Sequence, residues 1–424
     1  MKFGVFFPHQ LPRPWGPSSE AELFLGALDM VEIADRVGVG YAWAQEHHFL
    51  EEYSHSTAPE VFLGACSQRT KHIRLGHGVS IMPPPVNHPA RVAERIATLD
   101  LVSNGRAEWG TGEMSSHIEL GAFNINYPDK RPMWAEAVRE AALMMNLEPY
   151  PGHVGRYFSM PARNVVPKPI QRPHPPLWIA CTNRETLRLA ARLGAGALTF
   201  AFMGPAEAKY WVDEYYETFR RECDPIGQSV NPNIATLIGF YCDRDPDRHL
   251  EAAYNQRFFK YGLAHYYRFG RHAPGATNLW QEFERSPQEP MAGLDGVGTP
   301  EQLVSKFREY EACGVDQLIL LQQAGRMPTD QICRSLQLFG REVIGEFVER
   351  DSRIAASKAR DLAPFVERAM QRRTSPAPAA TPPLVEAYPA LWEGQAGLSH
   401  EASPSRAIEA PSLWNLQVGS GRRG

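Results

Sequence analysis

The residues with the plainest chemical meaning are two neighbouring histidines, His47 and His48, in Tyr41–Phe49, YAWAQEHHF. Before them Tyr41, Trp43 and Gln45 alternate with Ala42, Ala44 and Glu46, the period-two pattern of a short buried strand. The histidines thus fall at the carboxyl end of that strand, where the chain turns into an acidic loop. In parallel α/β folds ligands bind at that edge. Side chains alternate along a strand, so a barrel metal site drawing two histidines from one strand needs HxH. Adjacent His47 and His48 cannot both face the interior, and no HExxH occurs. No metal is expected. Two readings of the pair stand: one histidine packed and one solvated, or one interior histidine serving as proton donor or hydrogen-bond anchor. The lack of a GxSxG elbow argues against a serine hydrolase.

A second constellation is Ala180-Cys181-Thr182-Asn183-Arg184-Glu185-Thr186, where a strand ends and a helix begins. Free N–H groups at that helix start, with Thr182, Asn183 and Thr186, could hold a phosphate. Ordinary helix capping explains the same pattern. Gly110-Thr111-Gly112-Glu113 is a strand-end turn that lets backbone approach a flat ligand. Gly76-His77-Gly78-Val79 allows the same approach.

These stretches need a scaffold that brings several strand ends to one rim. The chain has 424 residues, enough for one large α/β barrel or two to three ordinary domains. A net charge of −4 without a basic stripe gives no reason to expect nucleic acid, and no apolar run is long enough to span a membrane. Six scattered cysteines without a CxxC pair, and the absence of a signal-like start, suit a reduced cytoplasm. Strand patterns occur at Lys2–Pro8, Tyr41–Phe49, Ile73–Met82, Gly105–Gly112, Leu177–Cys181, Ala197–Phe202, Ile234–Cys242 and Val315–Gln322. Helical spacing separates them, at Glu20–Val37, Ala58–Arg69, Pro89–Leu101, Met133–Asn146, Arg184–Leu193, Pro205–Glu222, Pro246–Tyr267 and Pro300–Cys313, and Thr329–Val348 closes the series. Alternation with short links means a parallel sheet with right-handed crossovers. The expected fold is a (β/α)₈ barrel over residues 1–348, with Tyr150–Pro176 and Gly270–Gly298 as insertions on the active face. An open doubly wound sheet is the alternative that counting leaves standing. Residues 349–424 are expected to hold a helix remnant and, from about Arg372, a disordered tail rich in Pro, Ala and Ser.

Taken together, EHHF, TKHIRLGHGV, NHPARVAERIATLDLVSNGRAEWGTGE and GTPEQLVSKFREYEACGVDQLIL resemble the bacterial luciferase-like flavin-dependent monooxygenases. The resemblance runs in order from Lys2 to about Phe347. It implies a (β/α)₈ barrel that binds reduced FMN at the carboxyl ends of its strands. It implies that His47 is the active-site histidine near the flavin and its oxygen adduct. Gly78-Val79 falls where members carry a non-proline cis peptide beneath the isoalloxazine. Gly110, Gly112 and Glu113 fall on the fourth-strand turn, and Thr182, Asn183 and Thr186 on the phosphate grip. Many members place an Arg after the fourth-strand glycines; here that place is Glu113, and Arg184 is the candidate for the missing charge. The resemblance implies two-component oxygenation, with FMNH₂ from a separate flavin reductase reacting with O₂ at C4a to oxygenate a small organic substrate. The F420-dependent hydride-transfer branch and a non-catalytic flavin-binding relative are the alternatives. A homodimer is expected. Phe6, Phe7, Trp43, Phe49, Met82 and Trp109 are the candidates for apolar strand-end surface.

Overall fold

Alternating apolar runs of four to nine residues build eight parallel strands: β1 (Lys2–Phe7), β2 (Tyr41–Ala44), β3 (Arg74–His77), β4 (Ala107–Gly112), β5 (Leu177–Cys181), β6 (Gly196–Thr199), β7 (Ile234–Cys242) and β8 (Gln317–Leu321). They pair in chain order, and β8 pairs with β1 through Lys2–Gln317 to Val5–Leu320, so the sheet closes on itself. The computed structural model describes residues 1–287, 294–373 and 384. The expected disordered tail lies almost wholly outside the described residues. Closure decides the fold in favour of the (β/α)₈ barrel and against the open sheet.

Two apolar layers follow from the period of two. Phe3, Val5 and Phe7 of β1 pack outward with helix residues such as Ala27, Met30 and Leu336. Phe6, Trp43, Trp178, Leu198, Leu237 and Ile319 form the inner cluster. Trp43 and Trp178 meet inside edge to face, with ring centroids 5.5 Å apart. Of the six residues expected to supply strand-end surface, Phe6 and Trp43 do face inward. Phe7, Met82 and Trp109 belong to the outer layer, because they occupy the other phase of their strands.

The insertions differ from the expectation in one respect. Tyr150–Pro176 leads into the start of β5, so it lies at the amino-terminal face, opposite the active one. There Gln171 N–H donates to Asp100 Oδ2 (2.9 Å), and Gln171 Nε2 donates to the Ala107 carbonyl at the start of β4 (2.8 Å). The active face instead carries residues 113–129, with a short helix His117–Ala122, and the long connection after β7. That connection includes Pro246–Ala264, a π-helical turn His265–Phe269, and helix Leu279–Arg285. The described part of Gly270–Gly298 therefore contains regular structure, and strand Gly296–Gly298 pairs with the end of β7. The barrel helix of this unit is Pro300–Ala312, opened by a Thr299–Gln302 capping box.

Thr329–Glu342 closes the barrel, and helix Ile344–Arg372 then runs on across its amino-terminal end. The boundary expected at residue 348 falls inside this helix, which buries Phe347, Leu362 and Ala369.

Candidate active site

β2 ends at Ala44, and Gln45–His48 continue as loop, so the strand is shorter than its alternation suggests. His47 is anchored by its backbone N–H, which donates to the Ser56 carbonyl (2.9 Å). Its Nδ1 lies 3.1 Å from Glu119 Oε1, and the same oxygen accepts the backbone N–H of His48 at 2.9 Å. Glu119 sits in His117–Ala122 with its side chain fully buried. An ionised carboxylate only accepts, so Nδ1 carries the proton and Nε2 is the free lone pair. The Tyr267 hydroxyl lies 3.3 Å from Nδ1 and 3.4 Å from Nε2. Tyr53 approaches the imidazole edge to face at 5.6 Å. Burial drives the Tyr267 phenol well above its usual pKa, and the Glu119 charge adds to this.

His48 turns to a different set of partners. Its Nε2 lies 3.2 Å from Glu46 Oε1, and its ring stands edge-on to Phe123. Glu46 also accepts the Ile81 N–H (2.7 Å) and the Asn87 side-chain amide (2.8 Å), so this carboxylate ties the ends of β2 and β3 together. Next in the chain, Phe49 is 53% exposed and has φ of +65°. A bulky side chain in the left-handed region is a genuine outlier. Phe49 therefore lies at the outer mouth and leaves strand-end shielding to other rings.

Beside His47, the expected strand Ile73–Met82 is two pieces, β3 and Ser80–Ile81, separated by a cis peptide at Gly78–Val79. The neighbouring glycines are sterically required. A Cβ on Gly110 would lie 2.0 Å from the His77 carbonyl oxygen, and one on Gly112 would lie 2.5 Å from Val79 Cγ2. The ends of β3 and β4 thus touch backbone to backbone and form one continuous floor.

At the end of β5, Asn183 Oδ1 accepts the Thr186 N–H (3.0 Å), and Thr186 Oγ1 donates to the Asn183 carbonyl (2.9 Å). Both side chains are committed to capping helix Arg184–Arg192. Thr182 is exposed and its hydroxyl has no partner among the described residues. Arg184 points away, its Nε 2.6 Å from Glu214 Oε2, and it shares that carboxylate with Arg188. The charge expected from Arg184 is therefore engaged on the outside. Glu113 instead collects two cations, Lys130 Nζ at 2.9 Å and Arg131 Nε at 2.8 Å. Arg131 reaches on to Glu185 Oε1 at 2.5 Å, in the first turn of the same helix. Glu113 thus holds a basic pair beside the helix start.

The profile of the luciferase-like monooxygenase family matches residues 1–317 of this sequence. The chain belongs to that family. Among the relatives of this luciferase-like chain is the oxygenase component of the flavin-dependent trigonelline monooxygenase of Acinetobacter baylyi, 25% identical over 82% of this chain and 96% of that protein. An F420-dependent glucose-6-phosphate dehydrogenase of Amycolatopsis mediterranei is 25% identical over 72% of this chain and 91% of its own length. The uncharacterized protein y4wF of Sinorhizobium fredii is 35% identical, but the match spans only 51% of this chain and 60% of that protein. The crystal structure of monooxygenase RslO1 from Streptomyces bottropensis superposes with a TM-score of 0.67 at 23% identity, covering 82% of this chain and all of that one.

Sequence reasoning missed four residues of this candidate site: Glu119, Tyr267, Lys130 and Arg131. Glu119 comes from a six-residue helix too short to show a period. Tyr267 reads in sequence as the end of a helix, and it reaches His47 only because the turn there is π-helical. The dipeptide Lys130-Arg131 had one clue, an unpaired acid at Glu113 where a cation belongs.

Proposed function

We propose that this chain is the FMNH₂-dependent oxygenase of a two-component monooxygenase, taking reduced flavin from a separate reductase and acting on a small organic substrate. The observation that carries the reading is His47, held at the strand end by a buried carboxylate and facing a neutral phenol. That arrangement suits proton transfer through Nε2 in a water-poor site. The relative whose name describes the oxygenase component of a two-component enzyme covers most of both chains. The trigonelline oxygenase component and the F420-dependent dehydrogenase are both oxidoreductases by name, and the choice of cofactor is the finer step.

The donor set suits a flavin mononucleotide. Thr182, the exposed N–H groups opening Arg184–Arg192, and the Lys130–Arg131 pair would hold the phosphate. Gly78, Val79, Gly110 and Gly112 would support the flat ring, with Phe6 and Trp43 beneath. When bound, reduced FMN supplies the two electrons that let O₂ place one atom in the substrate and the other in water. His47 keeps a proton at Nδ1 on Glu119 and offers Nε2 to the reacting region. The surrounding aromatic side chains of Tyr53, Phe202, Phe259 and Tyr266 exclude bulk water.

The deciding experiment offers FMNH₂ with a reductase, and F420H₂ separately, while recording O₂ consumption and the cofactor spectrum. O₂ uptake with FMNH₂ alone supports the oxygenase. Hydride transfer from F420H₂ without O₂ uptake would move the chain to the deazaflavin branch. For the phosphate grip, we expect Thr182→Val and Arg131→Gln each to weaken FMN binding by roughly 1–3 kcal/mol, the size of one hydrogen bond to a charged group. Riboflavin, lacking the phosphate, should bind parent and variants alike. Asn183→Ala is a poorer probe, because losing the cap alone costs about 1 kcal/mol of stability.

A further inference from the structure

The strand piece Ser80–Ile81 directly follows the Gly78–Val79 floor, and backbone bonds hold it on one side. Toward β4 it is paired, Ser80 with Thr111 and Ile81 with Gly112, and the Met82 N–H donates to the Gly112 carbonyl (3.1 Å). Toward β2 the ladder ends earlier. Among the described residues its last bond runs from the Gly78 N–H to the Ala44 carbonyl (2.7 Å). Past Ala44 the chain turns away, and the His47 N–H goes to Ser56 instead. Two side chains take the place of the missing strand. Glu46 Oε2 accepts the Ile81 N–H (2.7 Å), and Asn87 Nδ2 donates to the Ile81 carbonyl (2.9 Å). Asn87 Nδ2 gives its second hydrogen to Glu46 Oε1 (2.8 Å), so the two side chains are also joined to each other. Asn87 Oδ1 accepts from Arg95 Nη1 (2.8 Å), which settles the way this amide faces. Glu46 and Asn87 are both buried.

We propose that Glu46 and Asn87 are positioning residues for the flavin ring: acting as the strand partner that Ile81 lacks, they fix the level of Gly78 and Val79 beneath it. Buried backbone N–H and C=O groups must be paired, and Ile81 has both of its groups on this side-chain pair. The ring is held largely by close contact, and a gap of about 0.5–1 Å forfeits roughly a quarter to a half of each dispersion contact. A floor free to shift by that much binds the ring more weakly, whatever the flavin carries at its far end. The phosphate donors at Thr182 and Arg131 belong to other elements and are untouched. The carboxylate matters because it only accepts. In Glu46→Gln the new amide faces two donors, Ile81 N–H and Asn87 Nδ2, and whichever way it turns, one of them meets another N–H. Asn87 cannot turn over in response, because Arg95 holds its oxygen. This role rests on the proposed seat of the flavin over Gly78 and Val79; the bonds themselves belong to the folded chain.

The test uses the full-length chain and follows binding of FMNH₂ and of reduced riboflavin, anaerobically, by quenching of tryptophan fluorescence. Glu46→Gln and Asn87→Ala should each weaken both flavins by the same factor, roughly 10-fold, the order of one lost hydrogen bond. That pattern differs from Thr182→Val, which should weaken FMNH₂ alone. Leu362→Ala serves as the control for stability: it should lower the unfolding temperature, far from the floor, and leave both affinities as in the parent. At saturating oxidised FMN, the visible circular dichroism of the bound ring should change in Glu46→Gln and stay as in the parent in Leu362→Ala. Parent-like binding of both flavins in Glu46→Gln and Asn87→Ala would overturn the role. So would a loss confined to FMNH₂, or an equal loss in Leu362→Ala, which would make the effect one of stability. If the parent binds F420H₂ and neither of these flavins, the FMN reading fails by itself. A 10-fold loss of F420H₂ binding in Glu46→Gln would then keep the positioning role, and an unchanged affinity would end it too.

Discussion

His47→Ala should still bind reduced FMN, while product formation falls by about 10²–10⁴-fold, the usual contribution of a general acid–base group. The consumed O₂ should appear as hydrogen peroxide. The argument is that His47 acts in the oxygenation steps and contributes little to flavin affinity, so its removal costs turnover more than binding. Two features of the site sharpen this expectation. Glu119 holds the imidazole by Nδ1, so the ring is fixed before any ligand arrives. The Tyr267 hydroxyl lies against the ring, 3.3 and 3.4 Å from its two nitrogens. The control is His48→Ala. That ring contacts Glu46 and Phe123, outside the Glu119–His47–Tyr267 group. Its loss should cost about 1 kcal/mol of stability, the usual centre for a single substitution, and leave the ratio of product to peroxide alone. Both variants are assayed for product and peroxide with a reductase present. Uncoupling by His48→Ala with coupling intact in His47→Ala would reverse the assignment of the two histidines.

What could be read in advance depended on whether a residue sits in a periodic element. The strands announce themselves because buried runs such as Ile234–Cys242 and Leu177–Cys181 are apolar and bounded by turn residues, and both match the structure end to end. The Pro205–Glu222 helix does the same. His47 was legible because alternation places one histidine of a pair inside. The strand ends at Ala44, however, and Glu119 and Tyr267 come to His47 from short helical turns within the connections after β4 and β7. Residues of such connections reach a site through tertiary packing, and nothing local encodes their destination. Glu113 is the instructive intermediate. Its type does not suit a phosphate contact, and in the structure it pairs with Lys130 and Arg131, which are distant enough in sequence to hide the relation. The misplacement of Tyr150–Pro176 has a different origin. Its proline-rich composition reveals a long connection, but the face is set by whether a connection leaves a strand or enters one. This one enters β5, so it must lie at the amino-terminal end.

A chain ended at residue 348 should lose most of the stability of one ended at Arg373. The reason is helix Ile344–Arg372, which crosses the amino-terminal end of the barrel as part of its core. Leu362 and Ala369 are each only 2% exposed. Removing the equivalent of one buried leucine costs about 2–5 kcal/mol. Lys358 adds a polar lock: its Nζ donates to Asp316 Oδ1 (2.6 Å), the Pro232 carbonyl (3.2 Å) and the Tyr216 hydroxyl (3.3 Å). Asp316 precedes β8 and also accepts the Ile234 N–H at the start of β7 (2.8 Å), so this lysine joins two adjacent strands from below. The pair is largely shielded from solvent, and its loss should cost a further ~1–3 kcal/mol after allowance for partial exposure. Arg350 and the terminal amine extend the seam, each bonding to Glu311 at 2.7 and 3.2 Å. The sum approaches the roughly 5–15 kcal/mol that holds a whole domain together, so the shorter chain should be unfolded or insoluble at growth temperature. Thermal unfolding of the two truncations and of Leu362→Ala measures this directly. Equal midpoints for the chains ended at 348 and 373 would show that the barrel is complete without the helix, and would restore the boundary that the sequence suggests.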